Sequence, residues 1–474
     1  MTTAPADVEP PAPDAVRTLV ARGSLYSVAT GLQLTVGLVA LPVITRLLAP
    51  REYGVVTVAM VVQLVLALVG AAGFSEIIPR TYFQADDGPA RARTLIFVAA
   101  LTSLVAAAAA ELTGPMWSAN LLDLEYGTPL RLAVWSAVPF AVLIAAQALL
   151  RASDRVIAVL VSASIATAGA QALGLILVAG WEGTASAYLV GITLGIALAA
   201  GFALTRSGIA PRGVKDAVSI LATLRISAPI VVHGLALYLI WAGDRAVVSR
   251  LEGPAAAGRY QVAYLVGGLT VLFISAIYGA WAPIVFGAAD ERRWQTLAET
   301  SAAVYRIAAI ATATAAIGAP AVLVVIAPAA YDPLALATVS AIIALSVIPF
   351  ATTAANVHVV LWHGRTVALA AVTALVAAVN IALNFALIPA FGLVGAAAAS
   401  VIAYAIQALL MYGLARRLAP VARPGRTFAA AAVLAGGAFL FAVAAPPGGA
   451  WLMLRIVIAL VLLGWLLRTL LRIH

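Results

Sequence analysis

Fourteen long apolar blocks divide the sequence, and each block carries at most two charged residues. A block of about 18 or more apolar residues can cross the hydrocarbon core of a bilayer as a helix, in which the backbone polar groups bond internally. The sequence therefore predicts an all-α polytopic membrane protein with about 14 transmembrane helices. The predicted spans 1 to 14 cover approximately residues 24–48, 55–78, 94–113, 131–150, 156–180, 185–205, 226–249, 260–286, 300–327, 334–361, 366–388, 393–415, 427–445 and 450–467.

The composition excludes a soluble enzyme attached to a membrane anchor. Hydrophobic residues make up 64% of the 474 residues and charged residues only 10%. A soluble protein needs more polar surface than this composition supplies. The longest predicted outer loop, about residues 114–130, is too short to fold a catalytic domain.

The residue types needed for several kinds of chemistry are absent or isolated. The chain has no cysteine, so it offers no disulfide, thiolate nucleophile or cysteine metal site. Its single lysine, Lys215, lies between Val214 and Asp216, which does not fit the Gly-Lys-Ser/Thr of a Walker A loop. The four histidines show no metal-ligand spacing. We therefore expect neither a metal nor a cofactor.

The distribution of basic residues predicts the topology. An even number of spans puts both ends of the chain on one side of the membrane, and 20 of the 28 basic residues are predicted on that side. Seven lie on the opposite side, and Arg306 lies just inside a span. The positive-inside rule then makes both termini cytoplasmic in the cell (plasma) membrane. The net charge of +9 comes mostly from the basic residues that lie on the cytoplasmic side. We therefore expect membrane lipids as partners and no nucleic acid.

Two parts of the chain match under a shift of 204 residues, which pairs Arg46 with Arg250, Pro50 with Pro254, and Gly54 with Gly258. The second copy begins after six spans, so the two halves run parallel in the membrane. We predict two six-helix lobes in a parallel pseudo-repeat plus two C-terminal helices. The units are a disordered cytoplasmic tail (1–22), an N-terminal lobe (23–205), a cytoplasmic linker (206–225), a C-terminal lobe (226–415), and helices 13 and 14 (416–474).

The linker has two interpretations. Val214, Ala217, Val218, Leu221 and Leu224 share one helical face, which fits an amphipathic helix lying on the membrane surface. An ordinary polar loop running into span 7 fits equally well.

Three segments resemble the polysaccharide or O-antigen (Wzx-like) flippases of the multidrug/oligosaccharidyl-lipid/polysaccharide (MOP) exporter superfamily. They are RLLAPREYG (46–54), DRAVVSRLEGPAAAGRYQVAY (244–264) and NIALNFALIPAFGLVGAAAAS (380–400). The third matches the family pattern Asn-x3-Asn-x4-Pro-x2-Gly-x2-Gly-Ala-Ala, beginning at Asn380 and Asn384. Pro389 and Gly392 favour a tight outer hairpin between spans 11 and 12, and Gly395 favours close helix packing.

The resemblance implies a transporter that is not an enzyme. Such a protein flips an undecaprenyl-diphosphate-linked oligosaccharide from the inner to the outer leaflet for cell-surface polysaccharide synthesis. Alternating access of a central cleft between the lobes would carry the polar headgroup across. Candidate functional partners are a polysaccharide polymerase and glycosyltransferases.

Ionisable residues inside a membrane are candidates for the substrate site, because an unpaired charge there is costly. The predicted substrate-binding residues are Asp244, Arg245, Arg259, Asn380, Asn384, Glu76 and Arg80. Structural alternatives exist for each. Asp244 and Arg245 can satisfy neighbouring groups or lie at the headgroups, and Glu76 and Arg80 can form a local ion pair. Arg259 can reach lipid phosphates, as Arg46 and Arg250 can, and the two asparagines can bond between helices.

Two other functions fit a polytopic protein of this kind. A cation-coupled MATE-type drug or metabolite antiporter shares the fold, but such carriers generally need deep membrane acids, and span 1 contains none. A membrane polymerase or ligase would need catalytic residues in large outer loops, which the chain lacks. Lipid-linked oligosaccharide flipping is therefore the favoured prediction.

Overall fold

The computed structural model describes residue 37 and residues 39–85, 87–180, 183–208, 217–420 and 425–471. These residues are almost entirely helical and contain no strand. The predicted tail 1–22 and most of span 1 lie outside the described residues. The helices, which we number α1 to α17, are 39–47, Pro50–Gly70, Phe74–Gln84, Gly88–Leu112, Gly114–Trp117, Thr128–Ala152, Val156–Ser164, Ala170–Gly180, Ala185–Ser207, Ala217–Glu252, Pro254–Phe286, Arg293–Ile326, Leu336–Leu345, Val347–Trp362, Thr366–Leu418, Gly425–Ala444 and Ala450–Leu471.

The observed helices confirm the predicted all-α membrane fold. The described residues contain 12 candidate membrane spans, one of which is the 53-residue helix α15. Helix α15 is interrupted by non-helical backbone at Gly392, so it accounts for both predicted spans 11 and 12. The remaining described spans coincide with predicted blocks, because bilayer thickness sets a minimum length that hydropathy detects directly.

The interruption in α15 is the predicted hairpin. Gly392 adopts φ 55° and ψ −135°, a conformation that glycine reaches without a steric penalty. After the turn, Gly395 lies directly against the backbone of Leu387, where an added Cβ would be 2.6 Å from the carbonyl carbon. Glycine at 395 therefore lets the second half of α15 return closely along the first.

Helices α2 and α11 cross with direct backbone contact at their first turns. A Cβ added to Gly54 would collide with the Pro254 carbonyl oxygen and lie 2.6 Å from its carbon. A Cβ added to Gly258 would collide with the Pro50 carbonyl oxygen and lie 3.0 Å from its carbon. These residues are the pairs matched by the 204-residue shift. The reciprocal contacts fit a pseudo-twofold axis through this point, which we name the glycine crossing.

Further bonds join the two halves of the chain at the same membrane face. The Thr45 hydroxyl donates to the Ile326 carbonyl at 2.6 Å, and the Tyr331 hydroxyl donates to the Leu48 carbonyl at 2.7 Å. Arg46 donates from Nη2 to the Val325 carbonyl at 2.9 Å. The C-terminal carbonyls of α12 thus lie within reach of Arg46, and contact between this exposed side chain and lipid phosphate stays a prediction.

The two halves of the chain also touch toward the opposite face. Gly73, at φ 69°, precedes the first residue of α3 and lies beside α10, where an added Cβ would be 3.1 Å from the Ser227 carbonyl oxygen. Helix α10 begins at Ala217 and continues without interruption to Glu252. Residues 209–216 lie outside the described part of the chain, so the surface-bound linker and the division into lobes stay predictions.

Helices α16 and α17 form a C-terminal hairpin held by a buried arginine. Arg455 is fully buried. Its Nη2 donates to the Ala442 carbonyl at 2.9 Å and also to the Ala445 carbonyl. These carbonyls lie at the end of α16, where a helix leaves acceptors without internal partners. Arg455 therefore fixes the end of α16 to α17.

Candidate functional site

Asp244 and Arg245 form a buried ion pair in the middle of the helical bundle. They lie in α10, eight and seven residues before its end at Glu252. Asp244 is 0% exposed and Arg245 is 2% exposed, and Arg245 Nη1 lies 2.9 Å from Asp244 Oδ1. Buried charges are stable only when they are paired and hydrogen-bonded. The surrounding helices must therefore supply the remaining bonds.

Three helices bond to the carboxylate of Asp244. Besides the bond from Arg245 in α10, the Tyr260 hydroxyl of α11 donates to Oδ2 at 2.6 Å. The Ser400 hydroxyl of α15 donates to the same oxygen at 3.3 Å. Asp244 thus connects α10, α11 and the second half of α15.

Arg245 is held by hydrogen bonds and by aromatic rings. Its Nε donates to Gln261 Oε1 at 2.8 Å, and its Nη1 also donates to the Trp241 carbonyl. The guanidinium carbon lies 3.9 Å from the ring centre of Tyr264, close enough for a cation–π interaction. The guanidinium is the group here that can bond a phosphate in bidentate geometry.

Tyr53 of α2 lies over this cluster from the other half of the chain. Its side chain is 6% exposed and lies beside Gln261, the partner of Arg245. Tyr53 directly precedes Gly54 of the glycine crossing. Separation of α2 from α11 would therefore remove Tyr53 from Gln261 and open the surroundings of Arg245.

The three sequence segments of the family resemblance converge here. Segment 244–264 supplies both members of the ion pair and Tyr260, segment 380–400 supplies Ser400, and segment 46–54 supplies the crossing and Tyr53. Sequence reasoning identified Asp244 and Arg245 but missed the uncharged partners. The spacing of Tyr260 and Tyr264 by four residues was a usable signal, because it puts both rings on one helix face.

Asn380 and Asn384 are fully buried in the first half of α15. Asn384 Nδ2 donates to the Asn380 carbonyl at 2.8 Å, within their own helix. Asn380 Nδ2 and Asn384 Oδ1 have no hydrogen-bond partner in the described part of the chain. Ala377 and Ile240 of α10 belong to the same buried cluster, and Asn380 and Asp244 each lie about one turn further along their helices. The two asparagines thus add unpaired polar atoms near the depth of the ion pair.

Arg259 lies in α11 between Gly258 and Tyr260. It is half-buried, and its Nε has no hydrogen-bond partner among the described residues. This partly unsatisfied cation lies in sequence between the glycine crossing and the residue that bonds Asp244.

Glu76 and Arg80 are separate from the central cluster. Both are exposed on α3, and Arg80 Nε donates to Gln84 Oε1 at 2.8 Å. The expected local ion pair between Glu76 and Arg80 is therefore not formed. The structure does not bring these two residues to Asp244 and Arg245.

Another acidic residue of the spans, Glu111, is engaged at the end of α4. It accepts hydrogen bonds from the Tyr126 hydroxyl at 2.8 Å and from Trp135 Nε1 at 3.1 Å. Arg131 Nε lies 3.4 Å from its other oxygen. Burial and the bond to Glu111 raise the pKa of Tyr126 well above its usual value. In the described residues no group of three or more histidine, aspartate or glutamate side chains is placed to hold a metal ion.

Comparisons with solved structures show the fold of a membrane transporter. A structure of the lipid II flippase MurJ in an inward closed conformation has a TM-score of 0.71 at 14% identity, covering 94% of this chain and 99% of that one. An inward-facing MATE family multidrug resistance transporter of the MOP superfamily has a TM-score of 0.63 at 14% identity, covering 81% and 94%. A MOP superfamily transporter from Pyrococcus furiosus has a TM-score of 0.55 at 14% identity, covering 84% and 95%.

The helical architecture of this chain is therefore the fold of these membrane transporters of the MOP superfamily. None of the curated proteins matches the chain. The family model for polysaccharide biosynthesis proteins matches residues 19–289, more than half of the sequence. The chain therefore belongs to the polysaccharide biosynthesis protein family, which confirms the resemblance found in the sequence motifs.

Proposed function

We propose that this transporter moves a lipid-linked oligosaccharide of the undecaprenyl-diphosphate type from the inner to the outer leaflet of the plasma membrane. The observation that carries the proposal is Arg245, which is paired with Asp244 and buried under Tyr53 from the other half of the chain. A diphosphate must cross about 30 Å of hydrocarbon, where an unpaired charge is costly. Once Tyr53 no longer covers it, the Arg245 guanidinium can bind that diphosphate.

In the proposed cycle, the two halves rock about their interface, and no covalent bond is made or broken. The glycine crossing and the bonds of Thr45 and Tyr331 hold one face closed in the present conformation. When this face opens, α2 carries Tyr53 away from Gln261, and Arg245 can exchange its protein partners for phosphate oxygens. Asp244 compensates the positive charge while no substrate is bound.

The neighbouring residues would complete the substrate site. The unpaired amide atoms of Asn380 and Asn384 suit sugar hydroxyls or phosphate oxygens, and the free Nε of Arg259 suits an anion. We assign Glu76 and Arg80 a more distant role at the entrance from the inner leaflet, because both are exposed on α3.

The proposed orientation puts both termini in the cytoplasm, which makes the face of the glycine crossing the outer face. A substrate of this class is made by glycosyltransferases on the inner leaflet and used by a polysaccharide polymerase on the outer leaflet. These enzymes and membrane lipids are the proposed partners. Cation-coupled drug export is less well supported, because Asp244 already bonds a cation, a phenol and a hydroxyl.

A reconstituted flipping assay tests the proposal. Proteoliposomes carry a fluorescent undecaprenyl-diphosphate-linked sugar, and a membrane-impermeant reductant measures how much label crosses the bilayer. Arg245→Gln should abolish movement of the label, whereas Arg250→Gln should leave it unchanged. Arg250 is the matched control, because it is a half-buried arginine on the same helix outside the cluster.

A double variant separates transport from folding. Arg245→Gln alone leaves Asp244 buried without its cation, which destabilises the protein. Asp244→Asn combined with Arg245→Gln removes both charges with little change in volume. Inactivity of a stably folded double variant supports the proposal, and movement of the label at the wild-type rate refutes it.

A further inference from the structure

A cavity lies away from the ion pair, between α12 and the C-terminal hairpin. Its volume is about 520 Å³. Helix α12 contributes Arg306 and Ile310, α16 contributes Thr427 and Leu434, and α17 contributes Trp465 and Thr469. The transport cycle proposed above makes no use of these residues.

The cavity is polar at one end and apolar at the other. Thr427 lies two residues inside the start of α16, and Thr469 lies two residues before the end of α17, so both hydroxyls are at one membrane face. Leu434 lies seven residues further along α16, which is about 10 Å deeper at 1.5 Å per residue. The cavity thus extends from the headgroup region into the hydrocarbon region.

The polar end is positively charged. Arg306 is exposed, and its Nε donates to the Ala302 carbonyl at 3.3 Å. No acidic side chain lines the cavity, and within the described ranges no carboxylate pairs with Arg306. Arg426 and Arg468 are exposed one residue before Thr427 and Thr469. The field at the entrance therefore favours an anion.

We propose that this cavity binds one anionic glycerophospholipid of the surrounding membrane. Its phosphate bonds Arg306 and the hydroxyls of Thr427 and Thr469, and one acyl chain lies along Ile310 and Leu434. The bound lipid joins α12 to the C-terminal hairpin, so this site makes the attachment of α16 and α17 dependent on membrane composition. The ligand is a structural membrane lipid rather than the transported molecule, whose proposed site is at Arg245.

Native mass spectrometry of the purified protein tests the proposal, with phosphatidylglycerol and phosphatidylcholine titrated separately. Arg306→Gln should weaken the tightest phosphatidylglycerol site about tenfold or more, the effect of losing one charge-assisted bond. Arg91→Gln is the matched control, because Arg91 is exposed at the start of α4, outside the cavity. It should leave that site unchanged.

A steric variant tests the acyl-chain part without changing charge. Ala430 lines the cavity, and Ala430→Phe should fill its apolar end and displace the same lipid. Unchanged phosphatidylglycerol binding in folded Arg306→Gln, or equal binding of phosphatidylcholine by the wild type, overturns the proposal. Displacement of the lipid by undecaprenyl diphosphate at equimolar concentration also overturns it, since the cavity would then belong to the transport path.

Discussion

Alanine at Gly54 or Gly258 should force the glycine crossing apart. In Gly54→Ala, the new methyl group would lie 2.6 Å from the Pro254 carbonyl carbon, and carbon atoms pack at about 3.5 Å. The helices must separate there by at least about 0.9 Å, because the Pro254 carbonyl oxygen lies closer still. In Gly258→Ala, the corresponding distance to the Pro50 carbonyl carbon is 3.0 Å, so the separation needed is at least about 0.5 Å. Gly54→Ala should therefore have the larger effect.

The clash acts on the conformation in which this face is closed. Overpacking of this kind costs about 1–3 kcal/mol. A cost confined to one of two conformations changes their ratio by about 5- to 150-fold. We therefore expect Gly54→Ala to increase the population in which this face is open, with a smaller increase for Gly258→Ala. The double variant should add less than the sum, because one separation relieves both clashes.

Distance measurement between two spin labels checks this expectation. The chain has no cysteine, so Leu121→Cys and Ala335→Cys provide unique label sites on exposed residues of the two halves. In lipid nanodiscs, Gly54→Ala should move the distance distribution toward longer values. Gly201→Ala is the control, because an added Cβ there meets nothing within 4 Å. A wild-type distribution in a folded Gly54→Ala protein would refute the role assigned to the crossing.

Three further predictions follow from other contacts. Asp244→Asn should destabilise the protein by about 3–5 kcal/mol, and adding Arg245→Gln should restore part of that loss. Thermal unfolding in detergent measures both effects. An unaltered unfolding midpoint for Asp244→Asn would contradict the pairing of Asp244 with Arg245. Gly392→Ala should lower stability by about 1–3 kcal/mol, because the backbone conformation at residue 392 is strained for alanine. Gly413→Ala is the control and should be neutral in the same unfolding experiment, because an added Cβ there meets nothing within 4 Å. Arg46→Gln should shift the spin-label distances of the nanodisc experiment in the same direction as Gly54→Ala, and an effect confined to lipid binding would instead support a headgroup role for Arg46.

The sequence predicts the helical spans well and their neighbours poorly. Each span must meet a length fixed by the bilayer, so hydropathy alone locates it, and the turn at Gly392 follows from a glycine and a proline in one short segment. Most helices are apolar around their whole circumference, so no amphipathic face indicates which helix packs against which. Nothing in the amino-acid pattern therefore indicates that Ser400 bonds Asp244, which lies 156 residues away in the chain.

Because the sequence does not show which helices pack together, it locates Arg245 but not the partners of Arg46. Charge inside a span identified Arg245, because an ionisable residue in hydrocarbon is conspicuous. Whether an arginine near a helix end reaches lipid or protein depends on which carbonyls are within its reach. For Arg46 those are the last carbonyls of α12, more than 275 residues away in sequence. Only the packed structure contains that information.

The buried arginine of the C-terminal hairpin has a consequence for membrane insertion. Arg455 lies five residues inside α17 and bonds the end of α16. A lone α17 would bring an unsatisfied guanidinium into the bilayer, where an unpaired charge is costly. Entry of both helices together shields that group from the start. During synthesis, the translocon should therefore release α16 and α17 as a pair, after the twelve preceding spans predicted from the sequence have already entered the lipid.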